Sequence, residues 1–225
     1  MTTIIPIPAF TDNYVWLLRH GTAAVVVDPG DATPVQAYLA REGLTLTAIL
    51  ATHHHGDHVG GIPALLARYP VPVFGPAHES IPGRTRAMQE GDTVTVPGLP
   101  VTLATLDIPG HTAGHIAFFG DVDGTPTLFC GDTLFAAGCG RVFEGTPAQM
   151  WDSLSKLAAL PDGTHIYCGH EYTLANLRFA HAVEPGNADI TARQAREQAK
   201  RDRHEPTLPS TMADERRTNP FLRAP

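Results

Sequence analysis

The stretch Thr-His-His-His-Gly-Asp-His occupies residues 52–58, directly after the apolar run Ala48–Ala51. The run predicts a buried strand, and the polar stretch predicts the loop that follows it. His53 and His55 are two residues apart on an extended segment, so their side chains project to one side. The side chain of His54 then projects to the opposite side. Two imidazoles at the end of a strand therefore point toward one place.

Gly56 permits a tight turn after these histidines. Asp57 and His58 then begin a helix that brings both side chains toward the same place. Neutral imidazoles and a carboxylate are ligands that zinc, iron and manganese accept. With 12 histidines in 225 residues, chance rarely produces the spacing H-x-H-x-D-H. The stretch therefore predicts a metal site at the end of a strand.

A metal site needs more ligands than one loop supplies, and three further polar residues lie beside apolar stretches. His111 lies in Pro-Gly-His-Thr, Asp132 in Cys-Gly-Asp-Thr and His170 in Cys-Gly-His-Glu. Sites are usually built from loops on a rigid scaffold, so we expect these three residues to join the histidine-rich stretch. Seven ligands suffice for two metal ions about 3.5–4 Å apart that share one carboxylate.

The composition is that of a globular protein, with 43% hydrophobic and 17% charged residues. Residues 1–192 carry 8 basic and 18 acidic side chains, and residues 193–225 carry 8 and 5. The acidic body argues against a nucleic-acid partner. No apolar run approaches the ~20 residues that cross a bilayer, and the N-terminus lacks signal-peptide features. We therefore expect a cytoplasmic protein without a membrane partner.

Short strands separated by proline and glycine, with helices between them, predict mixed α/β layers. Thr33 and Thr146, each followed by proline, predict the N-caps of two helices. From about Leu174 the strand signals stop, and helices over Leu174–Val183 and Ile190–His204 and from about Ser210 predict an all-helical C-terminal region. The three cysteines lack C-x-x-C spacing and are expected to be inert buried thiols in a reducing compartment: Cys130, Cys139 and Cys168.

Longer stretches of the chain resemble the metallo-β-lactamase superfamily and, within it, the glyoxalase II (hydroxyacylglutathione hydrolase) family. They are Ile7–Tyr14, Asp28–Asp31, Gly138–Thr146, His170–Thr173 and Thr218–Phe221. The resemblance covers nearly the whole chain. It implies an α/β fold in which an αββα sandwich over residues 1–173 precedes a small helical substrate-binding domain over residues 174–225.

The family pattern implies specific roles, and each metal position holds the expected residue. The implied ligands of a first metal ion are His53, His55 and His111. Those of a second are Asp57, His58 and His170, with Asp132 bridging the two ions. The resemblance also implies substrate contacts at Arg141, Phe143, Tyr172 and Asn176. Many members continue beyond Asn-Pro-Phe-Leu-Arg with basic residues that hold a glutathione carboxylate. We therefore expect a shortened helical domain and weak discrimination against smaller thioesters.

These assignments imply a thioester hydrolase that uses two divalent metal ions, with zinc preferred over iron or manganese. Its substrate would be a glutathione thioester, S-(2-hydroxyacyl)glutathione, and no obligate protein partner is evident. Asp57 is expected to accept the proton of the attacking water, and Asp132 to serve catalysis as the shared ligand. His115 is expected to pack against or support His111. Asp28 either forms a plain turn or supports a ligand histidine.

Three alternatives share part of the pattern. A persulfide dioxygenase would use one iron and leave the second site unused, whereas His58 and His170 are both present. A nuclease would need a basic exosite, which the acidic body does not offer. A non-catalytic scaffold of this fold would have lost ligands, and this chain keeps all seven.

Overall fold

Two six-stranded sheets form the centre of the computed structural model, which describes residues 1–224. The first sheet contains, in spatial order, β1 (Thr2–Ala9), β2 (Asn13–His20), β3 (Ala23–Val27), β4 (Thr45–Leu50), β5 (Val73–Pro76) and β6 (Arg86–Met88). The strands β1 to β3 are antiparallel, and β3 to β6 run parallel to one another. The parallel half places the end of β4 at one edge of the sandwich.

The second sheet begins along the chain with β7 (Thr93–Thr95), β8 (Thr102–Asp107), β9 (Ile116–Val122) and β10 (Thr125–Gly131). A small hairpin, β11 (Leu134–Phe135) and β12 (Gly138–Cys139), lies apart, and β13 (His165–Cys168) and β14 (Ser210–Thr211) complete the sheet. Its spatial order is β14-β13-β10-β9-β8-β7. Because β10 and β13 are parallel, their carboxyl ends meet at the same edge.

Helices lie on the outer faces of the two sheets. Three helices connect strands of the first sheet and pack against it: α1 (Ala32–Glu42), α2 (Gly56–Val59) and α3 (Ile62–Arg68). The second sheet is covered by α4 (Pro147–Ala158). The remaining helices are α5 (Thr173–Val183), α6 (Ala188–Asp202), α7 (Met212–Thr218) and α8 (Pro220–Arg223). This order of helix, sheet, sheet and helix confirms the expected αββα sandwich with a C-terminal helical region.

Alternating side chains of β2 and β3 divide the apolar residues between two cores. Trp16 and Val27 face the second sheet, where they join a cluster that includes Phe129. Leu17 and Val26 face the opposite way, into the core beneath the first helices. This period of two is the pattern of a strand buried on both faces.

The prediction of an all-helical C-terminal region is wrong at one point. Ser210–Thr211 forms a two-residue strand that pairs antiparallel with His165 and Ile166. Two residues are too few to show strand periodicity, so the pairing arises only when tertiary contacts bring β13 close.

The two predicted helix caps have different outcomes. The N-cap of α1 is Asp31, whose side chain accepts a hydrogen bond from the backbone N–H of Thr33, so the cap at Thr33 is wrong. The cap at Thr146 is confirmed, because its hydroxyl and the side chain of Gln149 form a reciprocal capping box.

Within residues 1–224, no helix combines the length and apolar character needed to span a membrane.

Candidate metal centre

Loops at the ends of four strands bring the seven predicted ligands together at one edge of the sandwich. The loops follow β4, β8, β10 and β13. The backbone N–H of Gly169 donates to the carbonyl oxygen of Gly131 at 2.9 Å, so the loops after β10 and β13 lie side by side. The sequence therefore located these loops correctly at one end of the sheets.

Three imidazoles form the first cluster: His53, His55 and His111. One nitrogen from each lies within 4.8 Å of the others. Nε2 of His111 is 3.0 Å from Nδ1 of His55. Burial is the largest cause that lowers the pKa values of His53 and His111. Both are therefore neutral at pH 7, which is the form of histidine that binds metal.

The second cluster consists of Asp57, His58 and His170. One ligand atom from each lies within 4.8 Å of the other two. Oδ2 of Asp57 is 3.4 Å from Nε2 of His170 and 3.5 Å from Nε2 of His58. Burial alone would lower the pKa of His170, but hydrogen bonds with the carboxylates of Asp132 and Asp57 raise it to about 10. A cation bound here would take the place of that proton.

Asp132 lies between the two clusters. Its Oδ1 is 3.3 Å from Nε2 of His58, and its Oδ2 is 3.5 Å from Nε2 of His111. A Cβ at Gly169 would lie 2.6 Å from Oδ1 of Asp132. Glycine is therefore required where this loop passes the carboxylate, and the carboxylate has room to face both clusters.

The donor atoms fit divalent metal ions. Nε2 of His53, Nε2 of His58 and Oδ1 of Asp132 are buried and have no hydrogen-bond partner anywhere in residues 1–224. A buried polar atom left unpaired costs about 1–3 kcal/mol, and three such atoms converge here. Imidazole nitrogens and carboxylate oxygens are donors that divalent metals accept. Divalent cations bound here would supply the missing partners of these atoms.

Asp28 supports a ligand histidine and also forms the turn after β3. Its carboxylate accepts hydrogen bonds of 2.7 Å from both the backbone N–H and the hydroxyl of Thr52. Its Oδ2 lies 3.1 Å from Nδ1 of His58. A proton on Nδ1 leaves Nε2 of His58 as the nitrogen that faces the cluster. Asp28 thus combines the two roles that the sequence left open.

The hydrogen bonds of His115 do not go to His111, although the two ring centroids are 6.2 Å apart. Nε2 of His115 accepts from the backbone N–H of Asp132 at 3.2 Å, and Nδ1 donates to the carbonyl oxygen of Ile116. Its ring stacks on that of His53 at 4.5 Å. Burial lowers the pKa of His115 to about 3. His115 is therefore a neutral support for Asp132 and His53.

His54 points away from both clusters, as the alternation of the strand predicts. Its Nε2 lies 2.7 Å from Oε1 of Glu144 at the surface. The other oxygen of Glu144 accepts from the backbone N–H of Ala113. This contact ties the histidine-rich loop to the segment that precedes α4, outside the metal centre.

A cavity of about 590 Å³ opens beside the two clusters. All four predicted substrate residues line it, together with several metal ligands: Arg141, Phe143, Tyr172, Asn176, His55, Asp57, His111, Asp132 and His170. The ring of Phe143 is largely exposed. The ring of Tyr172 stacks on that of His170 at 4.7 Å. Part of Asn176 is already engaged, because its side-chain amide donates to the carbonyl oxygen of Ala136.

Cys139 also lines this cavity and is only partly buried, so the prediction of three buried thiols is wrong at this position. Cys130 and Cys168 are buried as expected.

Sequence reasoning also missed Asp12 and Asn13, which contact two of the ligands. Their position in a polar turn before a strand was the available signal, but turn chemistry alone explains such residues equally well.

Comparisons with known proteins cover the whole chain. A model of the metallo-β-lactamase superfamily matches residues 9–170, and a model of the hydroxyacylglutathione hydrolase C-terminus matches residues 171–225. A protein of Alkalilimnicola ehrlichii named hydroxyacylglutathione hydrolase is 62% identical over 100% of this chain and 87% of its own.

Two solved structures are also similar. The crystal structure of ETHE1 from Myxococcus xanthus superimposes with a TM-score of 0.72 at 27% identity, covering 98% of this chain and 83% of that one. The structure of TTHA1623 in a di-iron-bound form gives a TM-score of 0.67 at 26% identity, covering 98% of this chain and 100% of that one.

Proposed function

The chain belongs to the hydroxyacylglutathione hydrolase family of the metallo-β-lactamase superfamily, and we propose that it hydrolyses S-(2-hydroxyacyl)glutathione, such as S-D-lactoylglutathione, with two divalent metal ions. The observation that carries the proposal is the position of Asp132 between the two clusters, beside an open cavity. Its Oδ1 faces His58, and its Oδ2 lies 3.5 Å from Nε2 of His111 and 3.2 Å from Nε2 of His170. One shared carboxylate between two ligand sets is the arrangement of a dinuclear hydrolase.

The proposed ligands follow the two clusters. His53, His55 and His111 would hold the first ion, and Asp57, His58 and His170 the second, with Asp132 shared. Such ions would lower the pKa of a bound water toward about 7 and would polarise the carbonyl of the substrate. We propose zinc for both positions. The donor set also suits iron and manganese, and the di-iron form of TTHA1623 is a relative of this fold that holds iron.

The remaining steps need a proton acceptor for the attacking water and a leaving group that departs readily. Asp57 lies at the cavity wall and is half exposed, so it is placed to accept the proton of the attacking water. The leaving group is a thiolate whose conjugate acid has a pKa of about 8.5. It departs without a strong general acid, which explains why the metal ligands suffice.

Arg141, Phe143, Tyr172 and Asn176 would bind the glutathione part of the substrate. The Arg141 guanidinium offers charge-assisted hydrogen bonds to a carboxylate. Burial raises the pKa of Tyr172, so its hydroxyl stays protonated and donates. Phe143 has no hydroxyl and contributes apolar contact only. Residues 174–225 are proposed as the helical substrate-binding domain, because α5 supplies Asn176 to the cavity.

The substrate is proposed to be the partner of this site, and no macromolecular partner is invoked. The one-iron alternative is less favoured because the second cluster is complete.

The three thiols form no disulfide within the part of the chain that the structure describes. Free thiols suit a reducing compartment, which supports the proposed location in the cytoplasm.

The test is hydrolysis of S-D-lactoylglutathione by the purified protein. Free thiol release would be followed alongside the number of metal ions bound per chain. We expect turnover that is lost after chelation and restored by zinc, and loss of most activity in Asp132→Ala. Absence of thiol release from protein that carries two ions per chain would refute the proposed substrate.

A further inference from the structure

Each side chain of the second cluster, defined above as Asp57, His58 and His170, is contacted from outside by a residue of the first sheet or its loops. The contact from Asp28 to His58 is one of three. Nδ1 of His170 lies 2.8 Å from Oδ1 of Asp12. The side-chain amide of Asn13 donates to Oδ2 of Asp57 at 3.0 Å. Two adjacent residues, the last of the loop before β2 and the first of β2, thus contact two different ligands.

The first cluster is held by groups of another kind. Nδ1 of His111 donates to the carbonyl oxygen of Arg141 at 2.8 Å. Nδ1 of His53 lies 3.0 Å from the hydroxyl of Thr52. Both partners are neutral, whereas Asp12 brings a carboxylate to the second cluster. Asp28 links Thr52 to His58, but Asp12 contacts only His170 among the proposed ligands. A change at Asp12 therefore need not disturb the first cluster.

Backbone hydrogen bonds fix the loop before β2 against the loop that carries His170. The N–H of Glu171 donates to the carbonyl oxygen of Asp12 at 2.8 Å, and the N–H of Tyr14 donates to that of Gly169 at 2.9 Å. Asn13 and His170 form an antiparallel bridge between these contacts. Asn13 is 7% exposed. The side chains of Asp12 and Asn13 are therefore presented to the ligands from a fixed backbone.

We propose that Asp12 and Asn13 are positioning residues that keep the second metal ion bound. The carboxylate of Asp12 accepts a hydrogen bond from the Nδ1–H of His170, which leaves the lone pair on Nε2, facing the cluster. Asn13 holds the carboxylate of Asp57 in one orientation without adding a charge. Partners of this kind change metal affinity by about 10–100-fold when removed. The inference rests on the dinuclear site of the proposed function and extends it.

The test measures zinc binding to the full-length protein. Apoprotein of the parent, Asp12→Ala, Asp12→Asn and Asn13→Ala would be titrated with zinc chloride, and bound zinc would be counted after dialysis. The parent is expected to bind two ions. Asp12→Ala and Asn13→Ala should keep one ion at parental affinity and bind the other about 10–100-fold more weakly. Asp12→Asn retains the acceptor oxygen without its charge and should lie between.

The matched control is Asp31→Asn, a conservative change at the cap of α1, which should bind zinc as the parent does. Asp12 and Asn13 do not line the cavity, so their variants should lower kcat and leave KM within about twofold. The inference is overturned if Asp12→Ala and Asn13→Ala bind both ions at parental affinity, or if both ions weaken equally. Zinc counting needs no substrate, so a parent that failed to cleave the thioester would remove the proposed function and leave this inference standing.

Discussion

Oδ2 of Asp28 lies 3.1 Å from Nδ1 of His58, and the same carboxylate accepts two hydrogen bonds from Thr52 at the end of β4. One side chain therefore ties the turn after β3 to the loop after β4 and fixes the ring of His58. The backbone of Asp28 has a φ of 53°, in the left-handed region that asparagine and aspartate tolerate better than other non-glycine residues.

Asp28→Asn should therefore preserve the turn and weaken metal binding. Asparagine fits the left-handed backbone, but its amide lacks the charge that favours a proton on Nδ1 of His58. We expect a loss of about 10–100-fold in affinity for one zinc ion, measured by competition with a chelating dye. In Asp28→Ala the buried N–H of Thr52 also loses its acceptor, so unfolding by urea should show a further loss of about 1–3 kcal/mol. Parental zinc affinity in Asp28→Asn would contradict this account.

His55→Ala and His54→Ala should differ sharply although the residues are adjacent. His55 faces Nε2 of His111 at 3.0 Å, and its loss opens the first cluster, so most thioesterase activity and one metal ion should disappear. His54 forms a surface contact with Glu144, and such contacts contribute about 0–1 kcal/mol. Its variant should keep nearly parental turnover. Equal losses in the two variants would show that the side of the strand is assigned wrongly.

Cys139 should react slowly with alkylating reagents despite its place in the cavity wall. Burial raises the pKa of its thiol to about 11, from the ordinary 9.0. Since the thiolate is the reactive form, alkylation by iodoacetamide at pH 8 should be about 100-fold slower than that of a free cysteine, and should accelerate up to about pH 11. The folded state binds the proton of Cys139 more tightly than the unfolded state does. The protonated thiol therefore contributes fully to the free energy of unfolding below pH 9, and this contribution is lost as the pH rises toward 11.

Peptide mass spectrometry would measure the alkylation of each cysteine over this pH range. Cys130 and Cys168 serve as internal controls, because both thiols are buried and should remain unmodified in the folded protein. Alkylation of Cys139 at pH 8 at the rate of an unfolded peptide would contradict the raised pKa.

The buried ion pair between Arg193 and Glu215 should support the wall of the cavity as well as the helical region. The guanidinium of Arg193 lies 2.7 Å from Oε1 of Glu215, and Oε2 accepts from the backbone N–H of Ala137 in the hairpin that carries Cys139. Removing one partner of a buried pair costs about 3–5 kcal/mol. We expect Glu215→Ala to lose that much stability in urea and to raise KM for the thioester more than it lowers kcat.

The double variant Arg193→Met with Glu215→Leu is the comparison. It removes both charges, so it should be more stable than Glu215→Ala, while the N–H of Ala137 stays unpaired and KM stays raised. A double variant as unstable as the single one would show that the unpaired charge is not the cause.

The sequence pattern predicted mixed α/β layers and the seven residues that the structure brings together, and the family resemblance added the αββα sandwich. The signals were local: an apolar run before His53 and polar residues near the ends of β8, β10 and β13. Neighbouring residues are enough to indicate a buried strand and the polar loop that follows it. Parallel strands then place their carboxyl ends at one edge. The spacing of the histidine-rich stretch also gave the direction of His54.

The residues that support these side chains follow from the folded arrangement and not from local sequence. Asp12 and His170 are far apart in the chain, and their contact exists because the loop before β2 pairs with the loop after β13. The same holds for the hydrogen bond between His115 and Asp132 and for the strand at Ser210–Thr211. No local pattern encodes these partners, since each depends on the packing of elements that meet only in the folded chain.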